Sequence, residues 1–191
     1  VAIALEICRN LSPDKQTCLI WLVGTAECIE QLHSLLLALT IDSIQLSEPL
    51  LAQCESCEAC ALSETRTNCV FGEGNRRAKL LFVGEAPGDN EDKTGIPFVG
   101  RAGQLLDQYL YAVDIPRESV YIANILKCRP PKNRDPKPEE EAACIDYLRE
   151  QVRLIQPKVI VCLGRISAMR LIKPDFKISV EHGTWFEKGG Y

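Results

Sequence analysis

Three short apolar runs constrain the fold of this chain more than any other feature. Lys79-Leu-Leu-Phe-Val-Gly84, Val120-Tyr-Ile-Ala-Asn-Ile-Leu126 and Val159-Ile-Val-Cys-Leu163 are apolar on consecutive rather than alternate positions. That pattern suits strands buried on both faces, which belong to parallel sheets. Stretches of helical period separate them. Leu105, Leu106, Tyr109, Leu110 and Val113 mark one face of a helix. Pro138, followed by Glu139, Glu140 and Glu141, opens another, with its acids at the positive end of the helix dipole. This helix is predicted to run to Ile155 and to bury Cys144, Leu148 and Val152. Gly164 leads into a third helix through Ala168 and Leu171. Alternating strands and helices predict an α/β fold around a parallel sheet, with ligands bound at the carboxyl ends of the strands.

The 191 residues are 46% hydrophobic and 25% charged, which excludes disordered, collagen-like and coiled-coil classes. The net charge of −4 means that any surface for nucleic acid must be local. The apolar runs Leu19 to Val23 and Leu35 to Leu39 fall far short of the ~20 residues that cross a membrane. No basic leader with a small-residue cleavage site is visible, so no membrane partner and a cytoplasmic location are expected. Residues 1–53 read as an N-terminal extension, helical or poorly ordered, with helical spacing at Ile29, Leu32, Leu35, Leu36 and Leu39. The domain proper is expected over 54–191.

Two loops leave strand ends with unusual sequence. Gly84-Glu85-Ala86-Pro87-Gly88 fixes a tight path that lets a ligand approach backbone N–H groups. Glu85 and Glu91 set carboxylates at the working edge, a solvated acidic turn being the plainer alternative. No Rossmann or phosphate-loop fingerprint is present. Phe98, among glycines in Thr94-Gly-Ile-Pro-Phe98-Val-Gly-Arg101-Ala-Gly103, suits either stacking on a planar ligand or core packing. In the second loop, Lys127, Arg129, Lys132, Arg134 and Lys137 form the densest basic stretch, held extended by prolines. Such a loop can line a phosphate backbone, a merely solvated face being the plainer alternative. Asn124, at the strand end, offers a donor and an acceptor to a base edge, or else caps the sheet.

The chain has 10 cysteines. Cys57-Glu-Ala-Cys60 is a tight pair, Cys54 stands at the same spacing before it, and Cys128 and Cys144 flank the basic loop. With no export signal and a sizeable core, the clustering points to metal rather than to disulfides. Four thiolates suit tetrahedral zinc or an iron–sulfur cluster, zinc being the default from C-x-x-C alone. Cys8, Cys18, Cys28, Cys69 and Cys162 read as core or incidental residues.

Taken in order, these segments resemble the family 4 uracil-DNA glycosylases, the thermostable iron–sulfur type. The resemblance runs from Cys57 to Tyr191 through Cys57-Glu-Ala-Cys60, Arg66-Thr-Asn-Cys-Val-Phe-Gly-Glu-Gly74, Gly84-Glu-Ala-Pro-Gly88, Pro97-Phe-Val-Gly-Arg-Ala-Gly-Gln-Leu-Leu106 and Asn124-Ile-Leu-Lys-Cys-Arg-Pro-Pro131. It implies a three-layer fold with a central, mostly parallel four-stranded sheet flanked by helices. It also implies a monofunctional hydrolase that removes uracil from DNA in base-excision repair, acting as a monomer. Cys57, Cys60, Cys128 and Cys144 would hold a 4Fe–4S cluster, with zinc the lesser alternative and Cys54 a bystander. Glu85 would be catalytic, Glu91 would assist, and Asn133 falls at an active-site position. Phe98 would stack on the flipped uracil and Asn124 would bond its pairing edge, with Gly84, Ala86, Pro87 and Gly88 lining the substrate site. Arg101, Lys127, Arg129, Lys132 and Arg134 would contact DNA. The rival implication is a non-catalytic nucleic-acid-binding iron–sulfur protein of the same fold.

The family's His-Pro-Ser or His-Pro-Ala motif should follow the Gly183-Thr-Trp-Phe186 region, but the sequence stops at Gly189-Gly190-Tyr191. His182 is not that histidine and reads as a surface residue. The sequence is therefore expected to be part of a longer product, lacking the fourth strand and leaving an open sheet edge.

Overall fold

The structure, a computed structural model, describes residues 18–21 and 48–187. Its sheet contains β1 (Cys18–Trp21), β2 (Glu73–Gly74), β3 (Leu80–Gly84), β4 (Tyr121–Asn124), β5 (Val159–Cys162) and β6 (Trp185–Glu187), in the order β2-β4-β3-β5-β1-β6. Strands β4, β3, β5 and β1 run parallel, and β2 and β6 add short antiparallel edges. The three apolar runs are β3, β4 and β5, and every residue of each is buried.

The helices are α1 (Glu48–Glu55), α2 (Asp89–Thr94), α3 (Arg101–Ala112), α4 (Pro138–Ile155), α5 (Arg165–Leu171) and α6 (Ile178–Glu181). Alternate strand residues feed two cores. Leu81, Val83, Tyr121 and Ala123 meet Leu148 and Val152 of α4 and Ala168 and Leu171 of α5. Leu80, Phe82, Ile122 and Val161 meet Leu106 and Leu110 of α3 on the opposite face. The result is the expected helix–sheet–helix sandwich. Among the described residues no helix is long and apolar enough to cross a membrane.

One expectation is corrected. The edge beside β5 is not open: Cys18–Trp21 lies along it in parallel, from Cys18 opposite Val159 to Trp21 opposite Cys162. A run too short for a membrane has the length of a strand, and its backbone satisfies the donors and acceptors that β5 would otherwise leave bare. Helix α1 crosses the expected boundary between 53 and 54. The helix predicted at Ile29 to Leu39 lies outside the described residues.

Candidate active site and cysteine cavity

Gly84 and Asn124 end β3 and β4 as register partners, so the two loops leave the sheet side by side. The ladder continues past them through Ile125 N–H to the Gly84 carbonyl and Leu126 N–H to the Glu85 carbonyl, both at 3.0 Å. A Cβ added at Gly84 would stand 2.4 Å from Asn124 Oδ1 and 2.5 Å from Phe98 Cζ. The missing side chain is what lets amide and ring approach one point. Asn124 is 1% exposed, and its Oδ1 accepts no hydrogen bond. A buried acceptor left unpaired costs about 1–3 kcal/mol, so an N–H from a ligand is the natural partner.

Phe98 is only partly buried, and its backbone is left-handed at φ 54°. Two neighbours hold it there. A Cβ at Gly103 would fall 1.8 Å from the Phe98 carbonyl oxygen, so α3 approaches the loop as only glycine allows. Arg117 donates to the carbonyls of Pro97 (2.8 Å) and Phe98 (3.1 Å), and it pairs with Asp107 of α3 at 2.6 Å. Sequence reasoning missed Arg117, because an arginine before a strand reads as a solvated charge.

The two acidic candidates separate. Glu91 is 9% exposed and accepts from three backbone N–H groups: Gly88 at 3.1 Å, Val99 at 3.0 Å and Gly100 at 2.7 Å. Its carboxylate staples the Gly84–Gly88 loop to the Phe98 loop. Glu85 is half-buried, and burial raises its pKa, with Asp135 and Glu141 adding to the rise and Arg165 opposing it. Pro87 is buried, while Ala86 and Gly88 are partly exposed along the same loop.

The basic loop also divides. Lys127 is 1% exposed, and its ammonium donates to the Asn124 carbonyl at 3.0 Å and to Gln151 Oε1 at 2.7 Å. Gln151 in turn donates to the Phe71 carbonyl and the Tyr121 hydroxyl. The expected DNA contact at Lys127 is corrected: this lysine braces β4 from inside. Arg129 bridges the two loops, reaching Asp89 at 2.6 Å and the side-chain oxygen of Asn133 at 2.8 Å. Asn133 is thus an exposed rim residue engaged with Arg129. Arg134 makes two bonds to Glu140, at 2.5 and 2.8 Å. Arg101 and Lys132 are exposed.

Behind the basic loop, Cys57, Cys60, Cys128 and Cys144 line one cavity together with Cys54, Arg66 and Tyr147. Arg66 donates to Cys128 Sγ at 3.2 Å, and the Lys127 amide donates to Cys144 Sγ at 3.3 Å. Burial raises the pKa of Cys144 to about 11 and raises that of Cys128, the Arg66 hydrogen bond opposing the latter. Among the described residues no three such side chains converge closely enough for a single metal ion. Arg66 was legible only as part of a quoted motif, not as a partner of sulfur.

Comparisons with known proteins agree with this geometry. The family model of the uracil DNA glycosylase superfamily matches residues 71–189. The type-4 uracil-DNA glycosylase of Archaeoglobus fulgidus is 58% identical over 113 residues, covering 59% of this chain and 57% of that protein. That of Thermotoga maritima is 50% identical over 136 residues, 71% of this chain and 70% of its own. That of Sulfurisphaera tokodaii is 54% identical over 113 residues, 59% and 51% respectively. The chain thus spans between about half and seven-tenths of the length of these curated relatives. With the motifs in order on the sheet that carries them, the chain belongs to the uracil DNA glycosylase superfamily, in its type-4 family.

Proposed function

We propose that this chain removes uracil from DNA by hydrolysing its N-glycosidic bond, as a cytoplasmic, monomeric repair enzyme. The observation that carries the reading is the unpaired, buried Asn124 Oδ1 beside the Phe98 ring. Uracil rotated out of the duplex, at a cost of roughly a few kcal/mol, slides under Phe98. Its N3–H donates to Asn124 Oδ1, and its O4 accepts from the side-chain amide. Cytosine presents an acceptor where uracil has that donor, and leaves the site's buried groups unpaired.

Bond cleavage builds positive charge on the sugar and negative charge on the departing base. Glu85, ionised, stabilises the sugar cation or orients the attacking water. Glu91 fixes the Gly84–Gly88 and Phe98 loops relative to each other, and Arg129 ties the first loop to the basic one. Exposed Arg101 and Lys132, with Arg129 at the rim, face the phosphate backbone. The relatives carry the name of uracil-DNA glycosylase, which favours the enzyme over a non-catalytic binder.

The thiol set supports a bound cofactor as well. Cys57, Cys60, Cys128 and Cys144, which line one cavity, would hold a 4Fe–4S cluster, a set of four thiolates being also the ligand set of a structural zinc. Such a cluster would supply structure, tying the C-x-x-C arm to the root of the basic loop.

The test is release of uracil from a U·G duplex, by this chain and by a version extended with a type-4 C-terminal segment, against the same duplex carrying T·G. Release from U·G, lost in Asn124→Ala with DNA binding retained, is expected. Folded, metal-loaded protein of both kinds that releases no uracil overturns the reading.

A further inference from the structure

Seven of the described cysteines are outside any disulfide bond. Four are the expected cluster ligands, and Cys162 is buried within β5. The other two, Cys54 and Cys69, face each other with their sulfurs 3.1 Å apart, although 15 residues separate them in the chain. Neither hangs on a loose loop. Cys54 is 1% exposed in the last turn of α1. Cys69 lies in a segment anchored on both sides: Thr67 N–H donates to Asp92 Oδ1 at 2.9 Å, and Val70 N–H to the Lys127 carbonyl at 2.8 Å. The two thiols are unequal, Cys69 being partly exposed and Cys54 buried. That is the arrangement of an attacking sulfur and a resolving one.

We propose that Cys54 and Cys69 are a redox modification site, which closes to an intramolecular disulfide by exchange with a low-molecular-weight disulfide of the glutathione type. The Cys69 thiolate attacks one sulfur of the small disulfide, forming a mixed disulfide and releasing one small thiolate. Cys54 gives its proton to that thiolate, and its sulfur attacks the sulfur of Cys69. The second small thiolate departs and takes up the proton that Cys69 lost. The protein pair loses two electrons, and the small disulfide leaves as two thiols. The new bond encloses Cys57 and Cys60 in a covalent loop, fastened to the segment that Val70 ties to Lys127.

The test is made on the purified full chain with the metal it carries. It is exposed to glutathione disulfide, blocked with an alkylating agent, digested without reduction and mapped by mass spectrometry. The expected result is one cross-linked peptide joining Cys54 to Cys69, reversed by a dithiol reductant. Cys54→Ser should accumulate glutathione on Cys69, whereas Cys69→Ser should leave Cys54 unmodified. Full alkylation of both thiols in the wild-type chain after exposure overturns the proposal, and so does Cys54 joined to any other cysteine. The readout does not involve uracil release, so failure here and failure of the glycosylase reading are separate outcomes.

Discussion

Arg117 donates to the carbonyl oxygen of Phe98 at 3.1 Å while its other arm is held by Asp107 at 2.6 Å. The ring proposed to stack on uracil is therefore positioned by a guanidinium bonded to its own backbone. Phe98→Ala should cost about 1–3 kcal/mol in uracil recognition. Arg117→Ala should cost part of that, and the double variant should cost no more than Phe98→Ala alone. A double-mutant cycle on kcat/KM checks this, since independent effects would add.

Gly84→Ala places a methyl group against both Asn124 Oδ1 and the Phe98 ring. The expected outcome is a folded protein, destabilised by about 1–3 kcal/mol. Uracil release should fall roughly a hundredfold, because the two recognition groups are pushed apart. Thermal unfolding and single-turnover kinetics separate the two effects.

Burial and Asp135 raise the pKa of Glu85, so its ionised form is lost on acidification sooner than for an exposed glutamate. The acid limb of kcat should therefore lie above the ordinary carboxylate range. Asp135→Asn removes a negative neighbour and frees Arg165, and both changes favour the carboxylate. The limb should move to lower pH. A pH–rate profile of the two proteins decides it.

Lys127 and Lys132 should respond in opposite ways. Lys132→Ala should reduce the salt slope of DNA binding by about one, with stability unchanged. Lys127→Ala strips Gln151 Oε1 and the Asn124 carbonyl of a buried donor, which should cost at least about 1–3 kcal/mol of stability. Its salt slope should not move. Binding titrations at several salt concentrations, beside denaturant melts, test both.

Cys144→Ala should abolish the brown colour and iron content expected of the purified protein, since a cluster is left with three of its four thiolates. Iron analysis and visible absorbance read this directly. Full iron retention would remove Cys144 from the ligand set.

Strands β3, β4 and β5 were legible in the sequence because each is apolar on consecutive positions, and few other structures use such a run. Asn124 was legible too, as an amide at a strand end. What escaped has a common cause: partners remote in sequence. Lys127 sits in a basic stretch, and Gln151, 24 residues on, helps turn it inward. The stapling by Glu91 was hidden because the three amides it accepts from belong to two different loops. Strand β1 is four residues long, and nothing local announces that β5, at the other end of the chain, will receive it.

That last pairing bears on how the molecule comes to fold. A ribosome delivers Cys18–Trp21 well over a hundred residues before Val159–Cys162, so β1 has a long wait for its neighbour. Pairings between distant segments form slowly and leave strand edges bare in the meantime. Among the described strands β6 is hydrogen-bonded only to β1, so it has no seat until β1 has docked on β5. Until β5 emerges, the nascent chain carries in Cys18–Trp21 an unpaired apolar ribbon that invites other chains.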